Sequence, residues 1–201
     1  MRVLGICCSP KAGQTTYKAM EACLASAGQV EGVETELIEL AGKTIGPCTD
    51  CGICKQGLIC GWDDDFGELI PKLADERLGG LIVGTPVYFG LMTAQCKALL
   101  DRCVMFRRNG WRFKDVVGGA LAVGKVRNGG QELTCQAIRM AMGCQDMICV
   151  SDGQETAHFG AALCSGVEGG IEADEAGLAT AANLGRRVAQ LARRLQRQSN
   201  P

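Results

Sequence analysis

The chain has 201 residues, of which 47% are hydrophobic and 21% charged, and its formal net charge is −1. Such a composition builds a buried core and excludes a disordered chain, while the near-neutral charge supplies no footprint for nucleic acid. No apolar run reaches the roughly 18 residues of a membrane span, so no membrane association is expected, and the length suits one domain, 1–201. Arg2 to Cys8 is an apolar run that ends at Ser9-Pro10 and reads as a buried first strand, not as an export signal. Thr15 to Ala27 has helical spacing, with Tyr17, Met20 and Leu24 on one face, and Val33 to Leu40 alternates as an imperfect strand. Residues 41–64 show no periodicity. Phe66, Leu69, Ile70 and Leu73 resume helical spacing behind Asp63-Asp64-Asp65, an N-terminal capping signal. Pro71 predicts that this helix is short or kinked. Leu81-Ile82-Val83 is a strand core that stops at Gly84-Thr85-Pro86. Thr93 to Phe106 reads as a helix, Val116 to Val123 as a strand, Gln131 to Met142 as a helix and Met147 to Val150 as a short strand. Ser151 to Gly170 is expected to be loop, and Glu172 to Gln196 a long last helix with Leu184, Val188, Leu191 and Leu195 as its stripe.

Strand and helix thus alternate five times, and the strands are apolar throughout. Strands covered on both faces by crossover helices have this pattern. The expected fold is α/β, a doubly wound five-stranded parallel sheet of flavodoxin-like order 2-1-3-4-5, with a cysteine-rich loop inserted at 41–64. In such sheets ligands bind beyond the carboxyl ends of the strands, which directs attention to the loops after the first, third and fourth.

The first of these is Cys8-Ser9-Pro10-Lys11-Ala12-Gly13-Gln14-Thr15-Thr16. It leads into a helix N-terminus, whose unpaired amides attract phosphate, and Ser9, Thr15 and Thr16 add hydroxyl donors. Neither a P-loop nor a G-x-G-x-x-G fingerprint is present, which points to a mononucleotide and, on this fold, to FMN. After the third strand, Gly84-Thr85-Pro86-Val87-Tyr88-Phe89-Gly90 sets a rigid turn and two aromatics at the rim; ordinary core packing is the competing reading for Tyr88 and Phe89. After the fourth, Gly129 and Gly130 allow close backbone approach to a flat ring, with Arg127 available to negative charge or simply solvated.

The thirteen cysteines exclude a fully paired disulfide framework, and thiols or metal ligands in a reducing cytoplasm are expected. Nine of them (Cys7, Cys8, Cys23, Cys96, Cys103, Cys135, Cys144, Cys149, Cys164) read as small, mostly buried hydrophobes. Cys48, Cys51, Cys54 and Cys60 are different. A C-x-x-C-x-x-C run folds around one face of a cubane iron–sulfur cluster and a fourth thiolate closes it; structural zinc, and thiol redox chemistry, are the alternatives. His158, the sole histidine, reads as a loop or interface residue, and no G-x-S-x-G elbow is present, so hydrolysis is not expected.

Together Gly5–Thr16, the compact Cys48–Cys60 motif, Leu81–Arg102 and Arg127–Glu132 resemble the iron–sulfur flavoprotein branch of the NADPH-dependent FMN reductase superfamily. The resemblance implies FMN, a 4Fe-4S cluster and a homodimer or dimer of dimers. It places Ser9, Lys11, Gln14, Thr15 and Thr16 at the FMN phosphate. Pro86, Val87, Tyr88, Phe89 and Gly90 fall near the ring and ribityl chain, Arg127, Gly129 and Gly130 opposite, and the four clustered cysteines on the metal. Gln14 stands where Asn is common, and Cys8 where Gly is common. The expected activity is electron transfer from a one-electron donor such as ferredoxin, through the cluster and FMN, to a small acceptor. The alternatives are an NAD(P)H-dependent FMN or quinone reductase without a functional cluster, and a non-catalytic module with a zinc-stapled loop. Arg186, Arg187, Arg193, Arg194 and Arg197 give the last helix a basic end, a solvated face or a dock for an acidic ferredoxin.

Overall fold

A computed structural model describes residues 1–199, and the side chains of residues 1–196. Parallel strands β1 (Arg2–Cys7), β2 (Glu34–Glu39), β3 (Leu78–Pro86), β4 (Val117–Gly124) and β5 (Ile148–Cys149) form a sheet in the order β2-β1-β3-β4-β5. Helices α1 (Thr15–Gly28) and α6 (Glu175–Ser199) cover one face. Helices α2 (Phe66–Leu73), α3 (Ala94–Arg102), α4 (Val104–Arg108) and α5 (Gln131–Gly143) cover the other. β4 is buried along its whole length, as the unbroken apolar run requires.

Three expectations are corrected. The 151–170 segment contains a strand, β6 (Ala161–Cys164), which pairs in parallel with the second half of β4 while β5 pairs with the first half. Its outward N–H groups do not end in open solvent: Ala162 N donates to Thr180 Oγ1 (3.1 Å) and Cys164 N to Asp174 Oδ2 (2.6 Å). The Thr93–Phe106 helix is broken at Cys103 into α3 and α4. Cys144 is exposed and not a buried hydrophobe, because it caps the end of α5. Cys149 is half-buried and the other seven outside the 48–60 cluster are buried. Burial raises the buried thiols: Cys7 is pushed up to about 11, and Cys23, Cys103 and Cys135 to about 12.

Pro71 is accommodated inside α2, which runs only two residues beyond it. The acid that meets the α2 N-terminus is Asp64, whose Oδ1 accepts from Phe66 N at 3.2 Å. α1 and α6 approach closely along small residues, Ala19, Cys23 and Ala27 against Ala181, Gly185 and Ala189, all buried. Among the described residues no helix is long and apolar enough to cross a membrane.

Candidate functional site

The carboxyl ends of β1, β3 and β4 are neighbours in the sheet, so the three loops meet. Cys8 N donates to Gly84 O (2.7 Å), and Val87 N to Val123 O (2.9 Å). In the first loop Ser9 is buried and its Oγ accepts from Lys11 N at 3.1 Å, folding the chain back before α1. Gly13 has φ +63°, a conformation that favours glycine. No side chain caps α1, and no acid lies in its first turn, so its amides are available to an anion. Thr16 is buried, Thr15 half-buried, and Lys11 and Gln14 are exposed around this end. Glu39, at the end of β2, accepts from Gly13 N at 2.8 Å.

The second loop is a tight hairpin. Tyr88 and Leu91 exchange backbone bonds of 2.8 and 3.1 Å, and Phe89 and Gly90 both have positive φ (49° and 81°). Tyr88 is 48% exposed and Phe89 fully exposed, so neither is core. Gly130 closes on this hairpin: a Cβ there would lie 3.1 Å from Gly90 Cα and 3.5 Å from Val87 Cγ1. Gln131 shapes the third loop, accepting from Gly129 N (2.8 Å) and donating to Val126 O (2.7 Å) and Leu163 O (3.1 Å). Arg127 is not simply solvated; it pairs with the buried carboxylate of Asp174. Burial pushes Asp174 up, but the Arg127 guanidinium and the Cys164 and Gly177 amides outweigh it and hold the group below its ordinary value. Ser9, Lys11, Gln14, Thr15, Thr16, Pro86, Val87, Tyr88, Phe89, Gly90, Arg127, Gly129 and Gly130 therefore share one end of the sheet.

The cysteine loop packs elsewhere, against α3 and α4. Cys48, Cys51, Cys54 and Cys60 line one pocket together with Trp62, Arg102 and Arg108. Gly52 (φ +80°) starts a 3-10 turn, Ile53–Lys55, that carries Cys54 inward. Asn109 Nδ2 holds the loop by Cys54 O (2.8 Å) and Gly57 O (3.1 Å). Arg102 donates to Cys60 Sγ and Arg108 to Cys54 Sγ, each at 3.2 Å. Among the described residues no three Cys, His, Asp or Glu side chains converge on a point that could hold one metal ion. Four thiols around one pocket form an all-thiolate donor set, which suits an iron–sulfur cluster and also a structural zinc.

A family model described as NADPH-dependent FMN reductase matches residues 1–162. The chain belongs to that family. An iron–sulfur flavoprotein of Methanocaldococcus jannaschii is 42% identical over 198 residues, covering 98% of this chain and all of that one. A second, from Methanosarcina thermophila, is 41% identical over 160 residues, 80% of this chain and 81% of its own. These relatives assign the chain to the iron–sulfur flavoprotein branch. A solved WrbA-like flavodoxin from Agrobacterium tumefaciens superposes with a TM-score of 0.66 at 20% identity, over 96% of this chain and 98% of that one, which shows the fold.

Several residues of this FMN reductase-family chain hold the site's elements together with little or no local sequence signal. Thr93 is buried, caps α3 by accepting from Cys96 N (3.1 Å) and donates to Cys8 O (2.9 Å); its own N–H reaches Thr85 Oγ1 (3.2 Å). It ties the first loop to the second. Its N-cap role was readable from a Thr before a helical run; its bridge between strands was not. Arg102, Arg108 and Asn109 have partners 38 to 55 residues away in the chain, beyond any local pattern. His158 stands half-exposed with Nδ1 3.5 Å from buried Asp152, at the rim of a cleft shared with Arg127.

Proposed function

We propose that this chain is an FMN-dependent electron-transfer oxidoreductase that passes electrons between a one-electron donor such as a ferredoxin, a 4Fe-4S cluster held by Cys48, Cys51, Cys54 and Cys60, and FMN, to a small acceptor. The observation that carries the reading is the cysteine pocket: four thiols around one space, two of them receiving guanidinium N–H bonds. When bound, a cubane supplies single-electron exchange and FMN one- or two-electron exchange. The chain's own task is placement. The uncapped α1 N-terminus with Ser9, Lys11, Gln14, Thr15 and Thr16 holds the phosphate. Pro86 to Gly90 and Gly129-Gly130 bracket the ring, and Tyr88 and Phe89 shield it. Arg127 keeps its loop in place through Asp174. α3 begins at the flavin end with Thr93 and ends at the cysteine pocket with Arg102. Its nine residues span about 14 Å. One rigid element therefore fixes the separation of the two centres within a chain.

A homodimer or homotetramer is part of the reading. It is supported by Leu133 and Met140, 68% and 69% exposed on one face of α5, and by the projecting Phe89. A cytoplasmic location is supported by thirteen free cysteines. The basic end of α6 gives weaker support for a ferredoxin dock: Arg186 is tied to Asn183 and Arg193 to Glu31 O, leaving Arg187 and Arg194 exposed, and the side chain of Arg197 lies outside those described.

The test is purification without oxygen, with assays for iron, acid-labile sulfide and FMN. All three are expected, and Cys51→Ala is expected to lose iron and sulfide while keeping FMN. Colourless protein lacking all three ends the reading. The family description favours a second reading, NAD(P)H-dependent reduction of FMN or a quinone; steady NAD(P)H oxidation that survives Cys51→Ala supports it.

A further inference from the structure

Arg102 is an unusual group to find beside the cysteine pocket. Its side chain is 1% exposed and its partner Asp64 6%, so both charges have been taken out of water. Removing a pair from solvent costs several kcal/mol per ion before attraction repays it, a cost a surface tether does not carry. The guanidinium is held on three sides. Nη1 reaches Asp64 Oδ2 at 2.6 Å, the plane lies over the Phe66 ring at 4.2 Å, and Nη2 points at Cys60 Sγ at 3.2 Å. Its Nε is buried and has no partner within the chain, although Arg102 lines the pocket. Buried donors are almost always satisfied, so an acceptor belongs in that space. Arg108 makes the corresponding contact to Cys54 Sγ at 3.2 Å, but it is 25% exposed and its partner Asp50 is 79% exposed.

We infer that Arg102 and Arg108 are potential-setting residues, Arg102 as a buried donor that stabilises the reduced form of the sulfur-bound centre and Arg108 as a weaker, solvent-screened one. The inference rests on the reading that the four cysteines hold an iron–sulfur cluster. Adding an electron adds a negative charge, which a fixed guanidinium 3.2 Å from a ligating sulfur favours. Asp64 acts with opposite sign from the far side of the guanidinium, and the burial of the pair keeps both effects unscreened. If Arg102 merely pinned the loop to α3, its loss would change how firmly iron is held and not the energy of the added electron.

The experiment is an anaerobic potentiometric titration followed by visible absorbance and low-temperature EPR, with iron and sulfide measured on each sample. It uses full-length wild type, Arg102→Gln, Arg102→Lys, Arg108→Gln and Asp64→Asn. The expected midpoint is more negative than wild type for Arg102→Gln, with Arg102→Lys between them, and more positive for Asp64→Asn. Arg108→Gln is expected to shift it negatively by less, and that shift to shrink between 0.1 M and 1 M salt, where the screening length falls from about 10 Å to 3 Å. Unchanged midpoints in Arg102→Gln and Asp64→Asn with full iron content overturn the inference, as do shifts of the same sign in both. If Arg102→Gln loses its iron, Asp64→Asn decides by the direction of its shift. Loss of iron from all three Arg102 and Asp64 variants assigns these groups to holding the loop and also overturns it. Wild type without iron or sulfide removes the underlying cluster reading, a failure told apart by the first assay.

Discussion

Replacing Gly185 by Ala sets two physical effects against each other. Gly185 lies inside α6, where Ala is favoured by about 0.8–1.0 kcal/mol on helix propensity. Against this, a Cβ at Gly185 would stand 2.8 Å from the Cys23 carbonyl carbon, 3.2 Å from Cys23 Sγ and closer still to the Cys23 carbonyl oxygen. The obstacle is the α1 backbone, which cannot turn aside as a side chain would. Carbon–oxygen contacts settle near 3.3–3.6 Å, so α1 and α6 must part by more than about 1 Å. Gaps of about 0.5–1 Å already forfeit a quarter to a half of each dispersion contact along the seam. Overpacking of this kind costs about 1–3 kcal/mol, and the upper half applies where backbone must move. The net expectation is a loss of about 1–2 kcal/mol, or roughly 2–8 °C in Tm for a chain of this size. Gly143→Ala is the control: nothing lies within 4 Å of a Cβ there, so only the propensity gain remains and Tm should hold or rise by a few degrees. Thermal melts by circular dichroism, with FMN saturating in every sample, read both. Gly185→Ala as stable as wild type would refute the close-approach argument.

Three further outcomes follow from the same contacts. Thr93→Val removes the α3 cap and leaves the buried Cys8 carbonyl without its donor, so urea unfolding should show a loss of about 2–3 kcal/mol; a loss below 0.5 kcal/mol contradicts the bridging role. Burial raises Cys7 to about 11 and Cys23, Cys103 and Cys135 to about 12 from an ordinary 9.0. Below pH 9 both states keep these protons; above it the unfolded chain releases them and the folded one does not. Stability should therefore fall from pH 9 up through pH 11–12, by about 1.4 kcal/mol per unit for each thiol, and a flat urea midpoint between pH 8 and pH 10 would count against it. Glu39→Gln keeps an acceptor for Gly13 N but removes a negative charge from the phosphate loop; FMN should bind a few-fold more tightly at low salt, as fluorescence titration can read, and weaker binding would show that Glu39 orders the loop instead.

What could be read ahead depended on how locally each feature is encoded. Apolar runs such as Leu81-Ile82-Val83 declare a doubly covered strand on their own, so the sheet order followed. Cys48, Cys51, Cys54 and Cys60 carry their chemistry in their spacing. β6 did not: Ala161-Ala162-Leu163-Cys164 is four residues behind a glycine, and its pairing and its capping by Thr180 and Asp174 come from other elements. Cys103 breaks a helix with neither Gly nor Pro to announce it. Phe89 reads by composition as a ring cover or as core; its positive φ in a four-residue turn leaves it fully exposed, which excludes core. No local pattern marks Arg102; only the fold brings it to Asp64 and Cys60.

The two margins of the sheet resist recruitment of another strand by different means. On β6 the amides of Ala162 and Cys164 are already occupied by a hydroxyl and a carboxylate, and on β2 the charges of Glu34 and Glu36, the latter locked to Arg2 and Lys72, discourage an incoming chain. Lateral growth into ribbons is thereby discouraged along β2 and along the β6 half of the opposite border. Strand-to-strand association is disfavoured there, which helps to protect the thiol-rich interior from the ordered stacking that exposed strands would invite.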